Sequence, residues 1–327
     1  MNELELIQLL TRSLPGNASV VAGAGDDCAV LDLGLASEYV LFKTDAVVEG
    51  VHFTSGTAGE RVGHKALGRC LSDIAAMAGE PTAALIAIGL PANYRPEYVA
   101  SIYEGINALA KKFGVAIVGG ETTTNPGHIF ISVALIGKVE KDKAILRKGS
   151  RPSDAIFITG ELGGSFQGKH LDFIPRITEA RWLAASFPIH AMIDLSDGLA
   201  GDLRHLLGGT PVRHSLGEGG SSASPKTLGA ELLSAAIPIS RAAKLQAKAE
   251  SSAKPPLLAA LTDGEDFELL FTTSSKDAVP LLDAWKREFP NLRLTCIGKI
   301  TTEPGLKIRD KQGLRALQAT GYIHFPG

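Results

Sequence analysis

Apolar residues recur along this chain with two periods, and the elements that they predict alternate between helix and strand. A spacing of three or four residues predicts helices over residues 4–14, 61–77, 96–113, 199–207 and 276–289. Short apolar runs between turn residues predict strands over residues 29–33, 38–43, 83–90, 116–118, 129–137, 155–159, 191–195, 267–272 and 292–300. This alternation predicts a mixed α/β (α+β) fold, with helices covering one face of a sheet.

The length of the chain favours two domains, because 327 residues exceed what one hydrophobic core usually serves. The composition becomes basic and rich in turn residues over 147–152, which predicts a boundary there. We therefore expect an N-terminal domain over residues 1–148 and a C-terminal α/β domain over residues 149–327. A stretch rich in Gly and Ser, residues 208–226, predicts a mobile loop.

Composition excludes several classes of function. A formal net charge of -2 gives no electrostatic basis for binding nucleic acid or an anionic membrane. No apolar segment is long enough to span a bilayer, and the amino terminus lacks the pattern of a signal peptide. The three cysteines, Cys28, Cys70 and Cys296, are far apart and odd in number, which is typical of a reducing compartment. We expect a cytoplasmic protein.

Acidic residues follow apolar runs at four places. The first is Asp26-Asp27, after Gly23-Ala24-Gly25, and taken alone it would predict an ordinary solvated surface turn. Three more acidic turns follow: Thr44-Asp45, Gly119-Gly120-Glu121 and Asp194-Leu195-Ser196-Asp197-Gly198. In addition, Asp73 lies between Leu71 and Ile74 on a predicted helix, where it would face partly inward. The repetition predicts one shared site.

Magnesium prefers oxygen ligands and is commonly held by a few carboxylates together with substrate phosphates. The candidate carboxylates are too many for one ion: Asp27, Asp45, Asp73, Glu121, Asp194 and Asp197. They predict several Mg²⁺ ions bridging a polyphosphate, with Arg147 neutralising phosphate charge from outside the cluster. A nucleotide-dependent phosphoryl transferase or ligase follows. Calcium-stabilised turns in a non-enzyme are the structural alternative, but they explain neither the Gly-Gly turns nor the arginine.

Three further features have an ordinary interpretation beside a functional one. His52 is either a ligand contact or a capped histidine at a strand end. Residues 160–170 nearly match a phosphate-binding loop, but His170 stands where a hydroxyl belongs and Pro175 interrupts the helix that should follow. The aromatic tail around Tyr322 would, by itself, predict only packing.

Six motifs carry a resemblance to a known family: Gly25-Asp26-Asp27-Cys28-Ala29, Thr44-Asp45 with Glu49-Gly50-Val51-His52-Phe53, Leu71-Ser72-Asp73-Ile74-Ala75-Ala76-Met77, Gly119-Gly120-Glu121-Thr122-Thr123, Asp194-Leu195-Ser196-Asp197-Gly198 and Gly264-Glu265-Asp266-Phe267-Glu268-Leu269. In this order, and over nearly the whole chain, they resemble the thiamine-monophosphate kinase family. The resemblance implies an aminoimidazole ribonucleotide synthetase-like fold that dimerises through its N-terminal sheet. It also implies transfer of the γ-phosphate of ATP onto thiamine monophosphate, giving thiamine diphosphate and ADP.

The resemblance also implies roles for individual residues. Metal ligands would be Asp27, Thr44, Asp45, Asp73, Asp194, Asp197 and Glu121, the last standing where the family commonly has Asp. ATP would contact Gly120, Glu121, Arg147, Ser196 and Tyr103, and thiamine would contact His52, Glu265 and Tyr322. Asp27, Asp197 and Arg147 would be the catalytic residues. No nucleophilic side chain is required, because the acceptor is itself a phosphate oxygen.

Two other functions are compatible with parts of the pattern. One is another ATP-dependent synthetase of the same superfamily, acting on an amide or on selenide. Selenide chemistry usually recruits a Cys near the amino terminus, and the first Cys here is Cys28. The other is a nucleotide- or metal-binding regulatory protein without turnover, which would have no need of so many carboxylates.

Overall fold

The computed structural model describes residues 3–208, 227–249, 253–319 and 321–322. The predicted mobile loop, apart from residue 208, and residues 323–325 of the aromatic tail lie outside these ranges. The first half of the chain forms the following elements: α1 (Glu3–Thr11), β1 (Val20–Ala22), β2 (Ala29–Leu31), β3 (Glu38–Val48), α2 (Gly59–Ala76), β4 (Glu80–Leu90), α3 (Pro96–Phe113), β5 (Ala116–Thr124) and β6 (Phe130–Glu140). The bounds of α3 confirm the predicted helix over 96–113.

Within the described residues, these strands form one sheet in the order β1-β2-β3-β6-β4-β5. Neighbours pair antiparallel except β4 and β5, which pair parallel. Helices α2 and α3 cover one face of this sheet, as the pattern predicted. The other face is exposed, and it carries the apolar side chains of Phe42, Leu85 and Ile136.

Two of the predicted acidic turns are wrong, because the strands continue through them. Strand β3 pairs with β6 from Glu38 to Val48, so Thr44 and Asp45 lie inside the strand with side chains on opposite faces. Strand β5 extends beyond the predicted residues 116–118 to Thr124, and it is an exposed edge strand, not a buried one. Glu121 therefore lies on this edge strand. Pairing with a distant strand determines both results, and no local pattern of residues contains that information.

Glycines bring α2 and α3 unusually close together. A Cβ atom at Gly63 would lie 1.9 Å from the carbonyl oxygen of Ile102 on α3, and a Cβ at Gly105 would lie 1.9 Å from that of Glu60 on α2. Each position therefore admits only glycine at this separation. The close approach fixes α2 against the sheet.

Replacing Gly63 with Ala should destabilise the protein by at most about 2 kcal/mol. Overpacking against a backbone atom costs about 1–3 kcal/mol, and the better helix propensity of Ala recovers roughly 1 kcal/mol. Denaturant unfolding measures the change. Gly56→Ala is the matched control, since a Cβ there meets nothing within 4 Å. Equal stability of the two variants would show that the helices are not tightly packed.

The second half of the chain forms a second sheet. Its elements are β7 (Ala155–Thr159), α4 (Lys169–Asp172), α5 (Ile177–Ser186), β8 (Ile189–Asp194), α6 (Leu199–Leu206), β9 (Gly229–Leu233), α7 (Arg241–Ala249), α8 (Pro256–Thr262), β10 (Leu269–Thr273), α9 (Ala278–Glu288), β11 (Leu294–Thr301), β12 (Gly305–Asp310) and β13 (Gly313–Ala316). In the described part of the chain, the strand order is β13-β12-β9-β11-β7-β10-β8. Short 3₁₀ turns cover Ser165–Gln167, Ser234–Ala236 and Ser275–Asp277.

One detail of this half differs from the predictions, and another agrees with them. The helix predicted over 276–289 is a 3₁₀ turn followed by α9. Residues 160–170 form a 3₁₀ turn and the four-residue helix α4, so the long helix of a phosphate-binding loop is not formed there. This agrees with the argument from His170 and Pro175.

Helix α2 lies between the two sheets. One hydrophobic core joins the inner face of the first sheet, α2 and α3 to α5, α9 and one face of the second sheet. The alternation along β7 shows the arrangement, since Phe157 belongs to this shared core whereas Ile156 and Ile158 belong to a second core under α6 and α8. The domain boundary near residue 148 stays a prediction. None of the helices that the structure describes is both long and apolar enough to cross a membrane.

Candidate active site

One face of α2 is polar although it is buried between the sheets. Lys65, Arg69 and Asp73 recur at four-residue intervals, and Ser72 lies beside them, so all four point the same way. Lys65, Ser72 and Asp73 are buried. Because buried charges are costly without partners, this face must meet compensating groups from other elements.

Three carboxylates converge at the Asp73 end of that face. Asp27, from the turn between β1 and β2, Asp73 of α2 and Asp194 at the end of β8 each place an oxygen within 4.8 Å of the others. All three residues are buried, and they come from three separate segments and from both sheets. The prediction of a shared site at Asp27, Asp73 and Asp194 is consistent with this arrangement.

Two cations and a hydroxyl accompany the three carboxylates. Arg147 Nη2 lies 2.7 Å from Asp27 Oδ1, Lys43 Nζ lies 3.0 Å from Asp73 Oδ1, and the Ser72 hydroxyl donates to Asp194 Oδ2 at 2.6 Å. Burial opposes the charged form of Arg147, but the Asp27 charge and hydrogen bond outweigh it and raise the pKa of the guanidinium. Arg147 thus lies against the cluster itself.

The cluster still lacks positive charge. Burial, reinforced by the charge of Asp27, raises the pKa of Asp194 to about 7 and that of neighbouring Asp26 to about 6. In addition, Asp27 Oδ2 is buried without a hydrogen-bond partner in the described part of the chain. A hard divalent cation would satisfy that oxygen and keep the carboxylates ionised, so the residues fit Mg²⁺.

The other predicted metal ligands lie outside this group of three. Asp45 faces the same side as Lys43 and lies 3.7 Å from its Nζ. The Thr44 hydroxyl points to the opposite, exposed face, 3.3 Å from Ser132 Oγ. Glu121 is exposed on β5, and Asp197 lies three residues beyond Asp194 in the turn before α6. Their roles as ligands stay predictions.

Lys65 joins the two segments that carry the predicted thiamine contacts. Its Nζ donates to the carbonyl oxygen of His52 at 2.7 Å and pairs with Glu265 Oε2 at 2.5 Å. Burial lowers the pKa of Lys65 to about 8, although the charge of Glu265 offsets part of the shift. The His52 and Glu265 segments belong to different halves of the chain, and this lysine holds them together.

Backbone geometry also marks the Glu265 segment. Glu265 and Phe267 have φ values of 51° and 50°, a region that residues other than glycine rarely occupy. The Glu265 N–H donates to the carbonyl oxygen of Ser196 at 2.7 Å. The Tyr322 N–H donates to the carbonyl oxygen of Asp197 at 2.8 Å, which brings the tail to the same turn. Glu265, Ser196 and Tyr322 therefore approach one another.

The remaining predicted contacts are more dispersed. His52 accepts a hydrogen bond from the Val48 N–H at its Nδ1, 3.1 Å away, which is the geometry of a capped histidine. Gly120 lies on β5, where a Cβ would meet the Ile86 carbonyl oxygen at 1.8 Å. Tyr103 packs half-buried on α3 against the core. Their contacts with substrate or nucleotide stay predictions.

The chain is similar to known proteins over most of its length. Residues 25–139 match the family described as AIR synthase related protein, N-terminal domain. The thiamine-monophosphate kinase of Rhodopirellula baltica is 37% identical over 303 residues, covering 90% of this chain and 87% of that protein. The chain belongs to the thiamine-monophosphate kinase family.

Other members of the thiamine-monophosphate kinase family are similar to this chain over nearly its full length. The protein of Bacillus subtilis is 30% identical over 353 residues, covering 99% of this chain and all (100%) of that one. A solved structure of AaThiL complexed with AMPPCP and TMP matches with a TM-score of 0.79 and 28% identity, covering 99% of this chain and 97% of that chain. The predicted fold and family are thereby confirmed.

Sequence reasoning missed four residues of this thiamine-monophosphate kinase site: Lys43, Lys65, Arg69 and Ser72. The signal for three of them was helical spacing, because positions 65, 69 and 72 share a face with Asp73. For Lys43 it was strand alternation, since it lies two residues before Asp45. Lysine and arginine on a helix are usually exposed, so their spacing by itself predicts a solvated face.

Proposed function

We propose that this chain transfers the γ-phosphate of ATP to the phosphate of thiamine monophosphate, giving thiamine diphosphate and ADP. The observation that carries the proposal is the buried group of Asp27, Asp73 and Asp194, contributed by both halves of the chain and deficient in positive charge. Family membership over the full length of the chain supports the same reaction. Thiamine diphosphate biosynthesis is then its role.

The chemistry needs little from side chains except position and charge. Asp27, Asp73 and Asp194 would hold Mg²⁺, which when bound neutralises phosphate charge. Arg147 and Lys43 lie beside Asp27 and Asp73, where they offset negative charge at the transferred phosphoryl group. The phosphate of the acceptor attacks in line, so no protein nucleophile forms a covalent intermediate.

A coupled assay of ADP release tests the proposal. With Mg²⁺ and ATP, thiamine monophosphate should be converted to thiamine diphosphate, identified by chromatography. Free thiamine and aminoimidazole precursors should give no product. ATP hydrolysis without phosphorylated product, or pyrophosphorylation of free thiamine, would contradict the assignment. Turnover of an aminoimidazole precursor would instead favour a synthetase of the same superfamily.

We also propose a homodimer formed through the exposed face of the first sheet. Phe42, Leu85 and Ile136 lie on that face and are each at least 43% exposed. Apolar side chains that lie exposed together on one face of a sheet are typical of an interface. A cytoplasmic location completes the proposal, supported by free thiols at Cys28, Cys70 and Cys296.

Light scattering at micromolar concentration should show a dimer, and Leu85→Glu should shift it to monomer by placing a charge in the apolar face. Val279→Glu is the control, because Val279 is an exposed apolar residue on α9, far along the chain from this sheet. A monomeric wild-type protein would contradict the dimer. So would a Leu85→Glu variant that remains dimeric.

A further inference from the structure

Arg69 lies between the carboxylate group and the Glu265 segment, and its donors are not fully used. Its Nε lies 3.8 Å from Asp45 Oδ2, and its Nη1 lies 3.6 Å from Glu265 Oε1. Both separations exceed a hydrogen bond. In addition, Nε is buried and finds no hydrogen-bond partner among the residues that the structure describes. The guanidinium is therefore held by charge alone, between two carboxylates that it does not contact closely.

Other arginines at the junction of the two halves are bonded closely. Arg61, two turns earlier on α2, donates from Nε to Asp172 Oδ1 at 2.8 Å and from Nη2 to Oδ2 at 2.5 Å. Arg176 pairs with both oxygens of Glu268 at 2.8 Å. Arg69 alone among these three keeps a buried donor without a partner, which is costly unless a ligand satisfies it.

The charge on Arg69 is maintained despite burial. Burial opposes the charged form, but the charges of Asp45 and Glu265 outweigh it and raise the pKa of the guanidinium. A planar, charged fork with free N–H groups matches the oxygens of a phosphate monoester. Arg69 can also leave Glu265 without isolating it, because Lys65 still pairs with that carboxylate at 2.5 Å.

The position of Arg69 identifies which phosphate it meets. One turn further along α2, Asp73 joins the group proposed to hold the metal and the transferred phosphoryl group. On its other side lies Glu265, predicted to contact the thiamine rings. In thiamine monophosphate the phosphate connects these two ends. We propose that Arg69 binds the phosphate of the acceptor substrate through its Nε and Nη groups, an inference that rests on the proposed kinase function.

The affinities of two ligands, measured for the wild type and for two variants, test this role. Calorimetry measures the dissociation constants of thiamine monophosphate and thiamine for the wild type, Arg69→Met and the control Arg61→Met. Arg69→Met should weaken thiamine monophosphate by about 10- to 100-fold, the range for losing a hydrogen bond to a charged group. Thiamine binding and the KM for ATP should stay within about twofold of the wild type. Arg61→Met should leave the dissociation constants of both ligands unchanged.

Arg69→Lys provides a second measurement if Arg69→Met does not fold. It keeps the positive charge and loses the fork, so thiamine monophosphate should bind more weakly than to the wild type while thiamine is unaffected. Equal losses for the two ligands would mean that Arg69 only positions Glu265, and no loss would place the phosphate elsewhere. Either result overturns the inference while leaving an active wild-type kinase intact. A wild type without thiamine monophosphate kinase activity overturns the proposed function as well.

Discussion

Turnover should fall by ~10²-fold or more when Asp27 or Asp194 is replaced with Asn, a loss of about 3 kcal/mol in transition-state stabilisation. The substitution removes one negative charge with little change in shape. Both residues belong to the group whose oxygens lie within 4.8 Å of one another, and one comes from each half of the chain. Steady-state kinetics at saturating Mg²⁺ and ATP measures the effect.

The double variant should lose much less than the two single losses combined in free energy, because the first substitution already disrupts the shared site. Asp32→Asn is the control: Asp32 lies on the surface, paired with Lys141 at 3.0 Å, and its loss should leave turnover near normal. Additive losses would show that Asp27 and Asp194 act at separate sites. Single variants with near-normal turnover would remove both from the mechanism.

The sequence predicts both Asp194 and Asp197 as metal ligands and Asp197 as catalytic together with Asp27. The structure brings Asp194 beside Asp27, and the catalytic role of Asp197 stays a prediction. Asp194 ends strand β8, which pairs with β10, whereas Asp197 lies in the turn between β8 and α6. An Asp197→Asn variant measured alongside therefore compares the two positions directly.

Arg176→Met should destabilise the protein by about 3–5 kcal/mol, the cost of breaking a buried ion pair from one side. Glu268 is 1% exposed and receives both of its closest charged hydrogen bonds from Arg176, with Lys169 at 3.0 Å. Without Arg176 the carboxylate stays buried with fewer partners. Urea unfolding measures the loss.

Arg181→Met is the matched control for that experiment, because Arg181 lies on α5, the helix that Arg176 immediately precedes, and pairs with Glu80 on the surface. An exposed pair of this kind is worth about 0–1 kcal/mol. Similar losses for Arg176→Met and Arg181→Met would show that the Glu268 pair is not more important than a surface contact.

The contribution of the Glu268 ion pair to stability depends on pH. Burial would raise the pKa of Glu268, but Lys169 and Arg176 outweigh it and hold the pKa below the ordinary value of 4.5. The folded state then binds this proton less readily than the unfolded chain. The stabilisation is complete above pH 4.5 and is lost as the pH falls through the folded pKa. The difference in free energy of unfolding between the wild type and Arg176→Met should therefore become smaller as the pH falls below 4.5.

Local patterns predicted much of this molecule because many of its elements are determined locally. The bounds of α3 follow from its apolar spacing, its initial proline and Gly114, whose φ of 70° ends the helix. The inward position of Asp73 followed from its neighbours on α2. These features need no knowledge of distant residues.

Contacts between distant segments were not predictable in this way. Thr44 and Asp45 belong to one motif, yet the pleat of β3 sends them to opposite faces. Lys65 and Glu265 are 200 residues apart, and neither position by itself indicates the other. The site depends on such pairs, so a list of motif residues identifies its acidic members and omits the cations that complete it.

Helix α2 also fixes the spacing between two parts of the proposed site. Arg69 and Asp73 are separated by four residues, which an α-helix converts into a fixed rise of about 6 Å along one face. In the proposed site, the spacing between the acceptor phosphate and the metal-binding group is then set in large part by one helix. One residue inserted between Arg69 and Asp73 would rotate Asp73 by a further angle of about 100° around the helix, which would take it off the face that carries Arg69.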